Sequence, residues 1–554
     1  MVALRTAHRW SALAALALCT VVIGLDSTVL SVALPTLARD LGATTADLQW
    51  FTTSYLLVLA AALLPAGMLG DRFGRKRLLL IALVAFGAAS AACALADTTG
   101  QLIAARAVLG LGSAVIMSLI GAVLTVLFDE RERPRALTIW ITANALGIPL
   151  GPLLGGWLLD HFHWGSVFLI NLPIVVLGLI AVAVLVPESH GDRGRRFDLP
   201  GILLSTTGLV AVTFGIIEAG ERGWGDVRAS VIIAVGVFAL AALVWWQRRA
   251  AAPLIDLALF RNRSFAGGTL LATIAGFAFF GLLFALPQLF QAVGGADAFG
   301  TGVRLLPVIG GLMVGARVGE KLAIRFGPRA VIAGGLALMA AALFTGAATD
   351  AAAGYGVVGA WIGVAGVGLG LTMPTSMNVT ISTLGAERTG VGNALIQAIR
   401  QVGSAIGVAV LGMVLNAGYR SALSDSVRSD SSLPGSSLSG SASPDSVVPG
   451  SGMPGSVLPG SAPPDAILPG SFGHLSEAAR EQVSDSATAG VAVAQRLGDD
   501  GLLAAVQDAF VHGMDLSLIV SGGVAAAGVV LALVILPRGA RTGRPAEALA
   551  ESGV

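Results

Sequence analysis

Apolar runs bounded by charged residues divide most of the chain into about fourteen segments. Each is long enough to cross a bilayer as a helix, which needs about 20 residues at a rise of about 1.5 Å per residue. The pattern therefore predicts an all-α membrane protein with about fourteen transmembrane helices. The predicted spans lie near 11–34, 48–69, 78–96, 100–124, 137–158, 165–186, 199–219, 229–247, 265–291, 301–322, 330–349, 355–378, 391–416 and 514–536.

Composition agrees with this prediction. Hydrophobic residues make up 55% of the 554 residues and charged residues 12%, and the mean hydropathy is +0.82. A soluble globular protein does not have this balance. The formal net charge of +1 gives no indication of a nucleic-acid partner. Cys19 and Cys93 both lie in apolar segments, so we expect small buried hydrophobic residues and no disulfide framework.

Basic residues set the expected orientation. With the N-terminus inside, the cytoplasmic segments hold 23 Lys and Arg residues, and the short outer loops hold four. The excess of basic residues on one side predicts a multi-pass protein of the cell (cytoplasmic) membrane with both termini in the cytoplasm. The four outer residues are Arg39, Arg222, Arg228 and Arg304.

One acid, Asp26, interrupts the first apolar segment. A carboxylate inside a membrane costs about 3 kcal/mol on insertion scales, and such a residue usually faces a bundle interior or an aqueous cavity. Asp26 is therefore predicted to carry a proton, to attract a cation, or both. The alternative is a structural acid that pairs with an arginine.

The N-terminus also has some features of a signal peptide. Arg5 and Arg9 precede the apolar run, and the residues at 31–33 loosely suit a cleavage site. Because Asp26 interrupts the run and Pro35 follows it directly, we expect an uncleaved first helix.

The loop after the second span reads GMLGDRFGRKR over 67–77. It resembles the signature loop of the major facilitator superfamily at every fixed position. A second, decayed copy at 323–329 reads AIRFGPR, with Ile324 in place of the acid. The resemblance implies two related six-helix bundles, and the seventh and eighth spans would form an extra central pair. It also implies a cytoplasmic gate loop whose residues are Gly67, Asp71, Arg72, Gly74, Arg75 and Lys76.

Two further helices carry motifs that resemble those of this superfamily. The fourth span has Arg106 four residues before Gly110, as in a motif whose buried arginine is linked to proton transfer, although Leu109 replaces the usual glutamine. A structural arginine that binds carbonyl groups is the alternative.

The fifth span resembles the antiporter motif of exporters, except that Thr138 replaces its first glycine. The matching positions of that motif are Gly147, Gly151, Pro152, Gly155 and Gly156.

The first helix identifies the branch. Residues 25–35, LDSTVLSVALP, are similar to the helix 1 motif of fourteen-helix drug:proton antiporters, of which QacA-, SmvA- and LfrA-type multidrug exporters are examples. Segments at 163–173, 400–409 and 512–515 agree with this branch. Further charges that could be embedded in the membrane are Arg317, Glu320, Arg400 and Asp515.

One long polar stretch separates the last two spans. Residues 430–469 form a degenerate ten-residue repeat with Pro at each fifth position, rich in Ser, Pro and Gly, and this composition predicts disorder outside the cell. Its flank at 474–509 has helical spacing and could cover the outer face.

The spans and loops together predict the domain division. We expect a first bundle at 1–190, the extra pair at 191–264, five helices of the second bundle at 265–416, an extracellular loop at 417–513, the last helix at 514–536 and a tail at 537–554.

The expected function is proton-coupled efflux of lipophilic small molecules, with cationic ones favoured. Alternatives are a dedicated exporter of a host-made natural product, such as an antibiotic or pigment, and a transporter of lipids or envelope precursors. The sequence contains no G-x4-G-K-[ST] loop and no metal-ligand spacing, so no ATP site, metal, cofactor or enzymatic role is expected. The predicted partners are the small-molecule substrate, protons and membrane lipid, with no nucleic acid and no obligate protein partner.

Overall fold

A computed structural model describes residues 6–129, 132–190, 198–223, 225–250, 253, 255–349, 354–384, 389–431 and 475–537. These residues form α-helices and contain no β-strand. The helices are α1 (Thr6–Asp40), α2 (Thr45–Phe73), α3 (Arg75–Ala94), α4 (Thr99–Leu127), α5 (Arg133–His161), α6 (Ser166–Leu169), α7 (Asn171–Leu185), α8 (Leu199–Arg222), α9 (Val227–Gln247), α10 (Arg263–Gln288), α11 (Ala298–Arg304), α12 (Leu306–Phe326), α13 (Pro328–Ala347), α14 (Tyr355–Ile381), α15 (Thr389–Ser431), α16 (Glu477–Asp485), α17 (Ala487–Leu497) and α18 (Asp500–Ile535).

Among the described residues, thirteen helical stretches are long and apolar enough to cross a membrane. The helix α5, with 29 residues, lies where the remaining predicted span was expected. The prediction of an all-α, multi-pass membrane protein is confirmed.

The helices form two bundles with matching internal packing. In the first bundle α1 packs on α5, α2 on α4, and α3 on both α4 and α7. In the second bundle the equivalent pairs are α10 with α15, α12 with α14, and α13 with both α14 and α18. The pair α8–α9 lies between the bundles in sequence, and α8 packs against α2 and α15. The architecture is therefore an internal repeat with an inserted helix pair.

The two copies of the signature loop fold alike. Gly74 ends α2 with φ 107°, and Gly327 ends α12 with φ 83°. Each glycine donates its backbone N–H to the carbonyl four residues earlier, Gly70 or Ala323, at 3.0 Å. Positive φ values of this kind favour glycine, which explains why glycine is retained in the decayed copy although its acid is lost.

Two predicted spans are broken helices. The sixth consists of α6 and α7, and the tenth of α11 and α12. Pro307 at the start of α12 has no N–H to donate to the preceding turn, so α11 ends before it. The ninth span ends in a π-helical segment, Leu289–Val293.

The structure lengthens the helices on both sides of the polar stretch. The helix α15 continues to Ser431 rather than 416, and α18 begins at Asp500 rather than 514. Apolar runs define only the membrane part of a helix, whereas polar residues can continue the same helix in water. The flank forms α16 and α17, and the Tyr419 hydroxyl of α15 donates to the Val483 carbonyl of α16 at 2.6 Å. Residues 432–469 of the repeat lie outside the described residues.

The two ends of the bundles have different character. At one end Arg9 of α1 pairs with Glu132 at 2.9 Å, and the backbone N–H of Arg75 donates to the Ser189 carbonyl at 2.9 Å. We call this end, with the α2–α3, α4–α5, α7–α8 and α12–α13 connections, the arginine-rich face. The opposite end, with the α1–α2 and α5–α6 connections, residues 289–298 and α16–α17, is the arginine-poor face.

Candidate functional site

Asp26 lies deep inside the first bundle. It is 14 residues from the end of α1 at Asp40, which places it about 21 Å along the helix axis from that end. Its side chain is 0% exposed to solvent. A carboxylate at this depth is stable only with partners that replace the lost hydration.

Two neighbouring helices supply those partners. Arg106 of α4 donates from Nη1 to Oδ2 of Asp26 at 2.8 Å, and Asn171 of α7 donates from Nδ2 to Oδ1 at 3.3 Å. Arg106 is itself 1% exposed, so the ion pair is fully enclosed. The structure thus brings together the two residues that the sequence analysis selected as proton-coupling candidates.

The guanidinium of Arg106 also joins α2 to this pair. Its Nε donates to the Phe51 carbonyl at 3.1 Å, and the group lies over the Tyr55 ring at 4.4 Å from the centroid. The Tyr55 hydroxyl in turn hydrogen-bonds Ser113 of α4 at 3.1 Å. Arg106 therefore holds α1, α2 and α4 together, and its charge cannot change partners without affecting α2.

Asn171 was not selected by the sequence analysis. Its amide also donates to Ser90 Oγ of α3 at 3.0 Å, and Ser90 donates to the Phe168 carbonyl at 2.8 Å. The signal in the sequence was a polar residue two positions before Pro173 in an apolar segment. Periodicity could not show that α7 begins at Asn171 and directs this amide at Asp26.

The antiporter-motif residues lie along α1. A methyl group at Gly147 would overlap the Val21 carbonyl, and one at Gly151 would overlap the Thr28 hydroxyl and approach the Leu25 carbonyl. These glycines place the backbones of α1 and α5 in direct contact, and Thr28 donates to the Ile148 carbonyl at 3.0 Å. The helix that carries Asp26 is thus fixed to α5 on both sides of the acid.

The far end of the same motif reaches the second bundle. Gly155 still packs on Val29 of α1, whereas Gly156 lies against the Ala298 backbone of α11, and the Pro152 carbonyl lies close to Gly302. These contacts require small residues, because a side chain at Gly156 would collide with α11.

Hydrogen bonds join the bundles at the arginine-poor face. The Asp160 carboxylate of α5 accepts the Ala298 and Phe299 N–H groups of α11 at 3.2 and 3.0 Å. Gln291 donates to the Val32 carbonyl of α1 at 3.0 Å. In this conformation the arginine-poor face is closed. Sequence reasoning missed Asp160, because an acid at the end of a span looks like an ordinary solvated residue.

The predicted gate loop is braced from two sides. Arg75 donates from Nε and Nη2 to Asp71 Oδ1 at 3.0 and 2.8 Å, and from Nη1 to the Ala122 carbonyl of α4 at 3.3 Å. The Glu188 carboxylate, which the sequence analysis did not select, accepts the Lys76 and Arg77 backbone N–H groups at 3.0 and 3.1 Å. Glu188 therefore caps α3 and ties the loop to the end of α7.

The other glycines of this loop serve helix packing. A methyl group at Gly67 would approach Ser118 Oγ of α4, and one at Gly70 would overlap the Leu119 side chain. Arg72 stacks on the exposed Phe73 ring at 5.6 Å, as Arg325 stacks on Phe326 in the second copy.

The remaining predicted charges do not form one cluster. Arg317 and Glu320 are exposed on an outward-facing stripe of α12, within a helical stretch that is long and apolar enough to cross a membrane, and their embedding in the membrane stays a prediction. Asp515 is half-buried in α18, and Arg400 is half-buried in α15, where it donates from Nε to Gln397 at 2.9 Å. In the part of the chain that the structure describes, no three metal-ligating side chains come together.

The sequence matches the Major Facilitator Superfamily over residues 16–408. The chain belongs to this superfamily. It is 35% identical over 407 residues to the tetracenomycin C resistance and export protein of Streptomyces glaucescens, covering 73% of this chain and 76% of the relative. It is 34% identical over 418 residues to the multidrug efflux pump LfrA of Mycolicibacterium smegmatis, and the match covers 74% of this chain and 82% of the relative.

The fold comparison agrees with the family. The chain superposes on the crystal structure of a bacterial homologue of the human lysosomal transporter Spinster, in an inward-facing, unoccupied conformation, with a TM-score of 0.62 and 15% identity. The match covers 95% of this chain and 97% of the other. At this identity the likeness supports the fold alone.

Proposed function

We propose that this protein exports lipophilic small molecules across the cytoplasmic membrane in exchange for protons. The observation that carries the proposal is the enclosed Asp26–Arg106 ion pair at 2.8 Å in a member of a transporter superfamily. The names of the relatives, a resistance and export protein and a multidrug efflux pump, support export as the direction of transport.

The orientation follows from the charge distribution. We assign the arginine-rich face to the cytoplasm because basic residues are retained on that side during insertion. Both termini then lie in the cytoplasm. The closed arginine-poor face is the outer face, so the structure represents a state in which Asp26 is sealed from the outside.

Protonation of Asp26 is the coupling step in this proposal. A neutral carboxyl group no longer attracts Arg106 as an ion, so the guanidinium must find other partners. Because Arg106 also binds the Phe51 carbonyl and stacks on Tyr55, its movement changes the position of α2. The helix α2 packs on α15 of the second bundle, where Leu64 contacts the cluster of Leu395 and Ile396. Proton binding can therefore bias the relative position of the bundles.

The Asp71 loop acts from the cytoplasmic side on the equilibrium between the two arrangements of the bundles. In this state the Asp71 carboxylate is held by Arg75 within its own bundle. Because this contact is made next to the α2–α3 junction, we infer that it favours one of the two arrangements of the bundles and so sets the rate of exchange between them.

The cargo does not reach Asp26 in this state. Both carboxylate oxygens are occupied, and the side chain is completely enclosed. A cationic cargo, as expected from the sequence, would have to replace Arg106 or act on the acid from a distance. We therefore propose that proton and cargo compete through the conformation of the bundles rather than through shared contact with one carboxylate.

Export of a product made by the host is the second candidate. Similarity to the tetracenomycin C resistance and export protein favours this candidate. Similarity to the multidrug efflux pump LfrA favours broad multidrug efflux. Genes for biosynthesis next to the gene for this protein would support the dedicated exporter.

The proposal is tested in inside-out membrane vesicles with an imposed pH gradient, acidic inside. A panel of cationic, neutral and anionic fluorescent compounds is added, and accumulation in the vesicles is measured. We expect accumulation of at least one lipophilic compound that collapses when a protonophore is added and does not require ATP. Accumulation that needs ATP, or none for any compound by a correctly inserted protein, would contradict the proposal.

A further inference from the structure

The helix α15 carries a polar stripe within its membrane-spanning part. Asn393, Gln397, Arg400 and Ser404 follow one another at spacings of four, three and four residues, which places them on one face of the helix. Arg400 is eight residues inside the span that begins at Gly392, or about 12 Å along the axis. This depth is within the hydrocarbon thickness of a bilayer.

The stripe does not face lipid. The helices α2, α8, α10 and α18 pack around α15, and Ser404 is completely buried. Asn393, Gln397 and Arg400 are half-buried, so part of these side chains remains accessible, and α2 of the first bundle packs on the same helix. Gly276 of α10 makes room for the arginine, because a methyl group there would lie 3.3 Å from Arg400 Cγ and 2.9 Å from Ser404 Oγ.

Arg400 differs from Arg106 in its partners. In the described part of the chain, no carboxylate lies within salt-bridge distance of Arg400, and its one side-chain hydrogen bond runs from Nε to Gln397. Next to it on the helix, Gln401 is buried with its Oε1 atom lacking a hydrogen-bond partner. Asp26 balances the charge of Arg106. The charge of Arg400 has no such acidic partner among the described residues, although it also lies in a low-dielectric region.

A guanidinium in this position suits an anionic oxygen group. An arginine in a membrane is costly and usually has a functional partner, and its planar group presents paired donors that match a carboxylate or sulfonate. A permanently cationic cargo would be repelled at the same place, since like charges in a low dielectric interact strongly.

We propose that Arg400 is the cargo-recognition residue of the second bundle and binds an anionic oxygen group, a carboxylate, of the transported molecule. The proposal rests on the proposed export function and narrows its cargo to lipophilic weak acids. It separates the two tasks of the transporter: the proton is bound in the first bundle at Asp26, and the cargo is bound in the second at Arg400.

The test is equilibrium binding, which does not depend on transport. Purified protein in nanodiscs of phosphatidylcholine, which carry no acidic lipid, is dialysed against radiolabelled 2-naphthoate or its uncharged methyl ester. Wild type, Arg400→Gln, Arg400→Lys and the control Arg261→Gln are compared. Arg261 is an exposed arginine near the arginine-rich end of α10, so its variant reports any general surface attraction of anions.

We expect Arg400→Gln to weaken 2-naphthoate binding by about ten-fold or more, since a charge-assisted hydrogen bond is lost, and to leave binding of the ester unchanged. Arg400→Lys should show an intermediate loss, and Arg261→Gln none. If Arg400→Gln does not elute as a folded peak, a naphthoate-to-ester affinity ratio that falls in Arg400→Lys supports the proposal.

Unchanged 2-naphthoate binding in a folded Arg400→Gln, or equal losses for acid and ester, would overturn the anion site. A fall in the naphthoate-to-ester ratio as large in Arg261→Gln as in Arg400→Gln would do the same. These results leave proton-coupled export untouched, because that function is scored separately by protonophore-sensitive accumulation in vesicles. Conversely, a protein that binds 2-naphthoate through Arg400 and shows no such accumulation would refute only the export function.

Discussion

Asp26 and Arg106 form an ion pair that is fully enclosed in the first bundle. Removing one of two paired buried charges leaves the other without an ionic partner and without hydration, which lowers the stability of a protein by about 3–5 kcal/mol. Replacing both partners by neutral groups avoids this cost. The pair can therefore be tested for its structural and its coupling role separately.

We predict that Arg106→Leu destabilises the protein by about 3–5 kcal/mol, because Asp26 is then buried without an ionic partner. The double variant Asp26→Asn/Arg106→Leu should recover most of this stability and still fail to transport. Thermal unfolding in detergent, followed by size-exclusion chromatography, measures the stability. A double variant that is as unstable as the single one would contradict the electrostatic explanation.

The sequence indicated Asp26 and Arg106 separately, as two candidate residues, and did not show that they form a pair. The burial of Asp26 followed from a carboxylate inside an apolar run, and Arg106 followed from the resemblance of its helix. The third member, Asn171, could not be predicted, because asparagine at the start of a helix is also an ordinary solvated residue. An apolar run also does not show which face of α12 is covered by neighbouring helices, so the exposure of Arg317 and Glu320 could not be predicted.

At the scale of the helices, the contact between α1 and α5 depends on the absence of side chains. Gly151 faces the Thr28 hydroxyl and the Leu25 carbonyl with no room for a methyl group. We predict that Gly151→Ala separates the two helices and lowers stability by about 1–3 kcal/mol, the usual cost of overpacking.

Gly334→Ala is the matched control, because a methyl group at that position of α13 meets open space. Thermal unfolding of both variants measures the difference. Equal melting temperatures for the two variants would show that α5 adjusts at no cost and would remove the packing explanation.

The Asp71 loop is expected to affect rate more than affinity. Asp71→Asn removes the charge that holds Arg75 at 2.8 Å but touches no part of the proposed cargo site. We predict a clear fall in the maximum rate of efflux with little change in the cargo concentration at half-maximum rate.

The exposed Asp97, in the α3–α4 connection at the arginine-poor face, gives the control Asp97→Asn. Initial rates of vesicle accumulation over a range of cargo concentrations separate the two parameters. Weakened cargo affinity at an unchanged maximum rate in Asp71→Asn would place Asp71 in cargo binding instead.

At the scale of the whole molecule, the polar stretch between α15 and α18 is the least predictable part. The apolar pattern located the membrane spans but ended α15 at 416, because residues beyond it are polar and yet continue the helix to Ser431. The buried contact of Tyr419 with Val483 could not be read from spacing. It shows that part of the predicted outer loop packs against the bundle.

We predict that the repeat itself is dispensable. Replacing 432–469 by a short Gly/Ser bridge keeps α15 and α16–α18 intact, and each doubling of loop length changes the closure cost by only about 0.6 kcal/mol. Efflux and membrane level should stay near those of the full-length protein. A large loss of efflux at a normal membrane level would assign the repeat a role in cargo transfer or partner binding.

Asp26 is the residue proposed to couple proton movement to cargo movement. This role is tested most directly in reconstituted vesicles that enclose a pH-sensitive dye, to which a cargo transported by the wild type is added. We expect that cargo flux drives an opposite proton flux in the wild type, whereas Asp26→Asn, compared at an equal amount of inserted protein, binds cargo and moves no protons. Cargo-driven proton flux in Asp26→Asn at the wild-type rate would contradict this role.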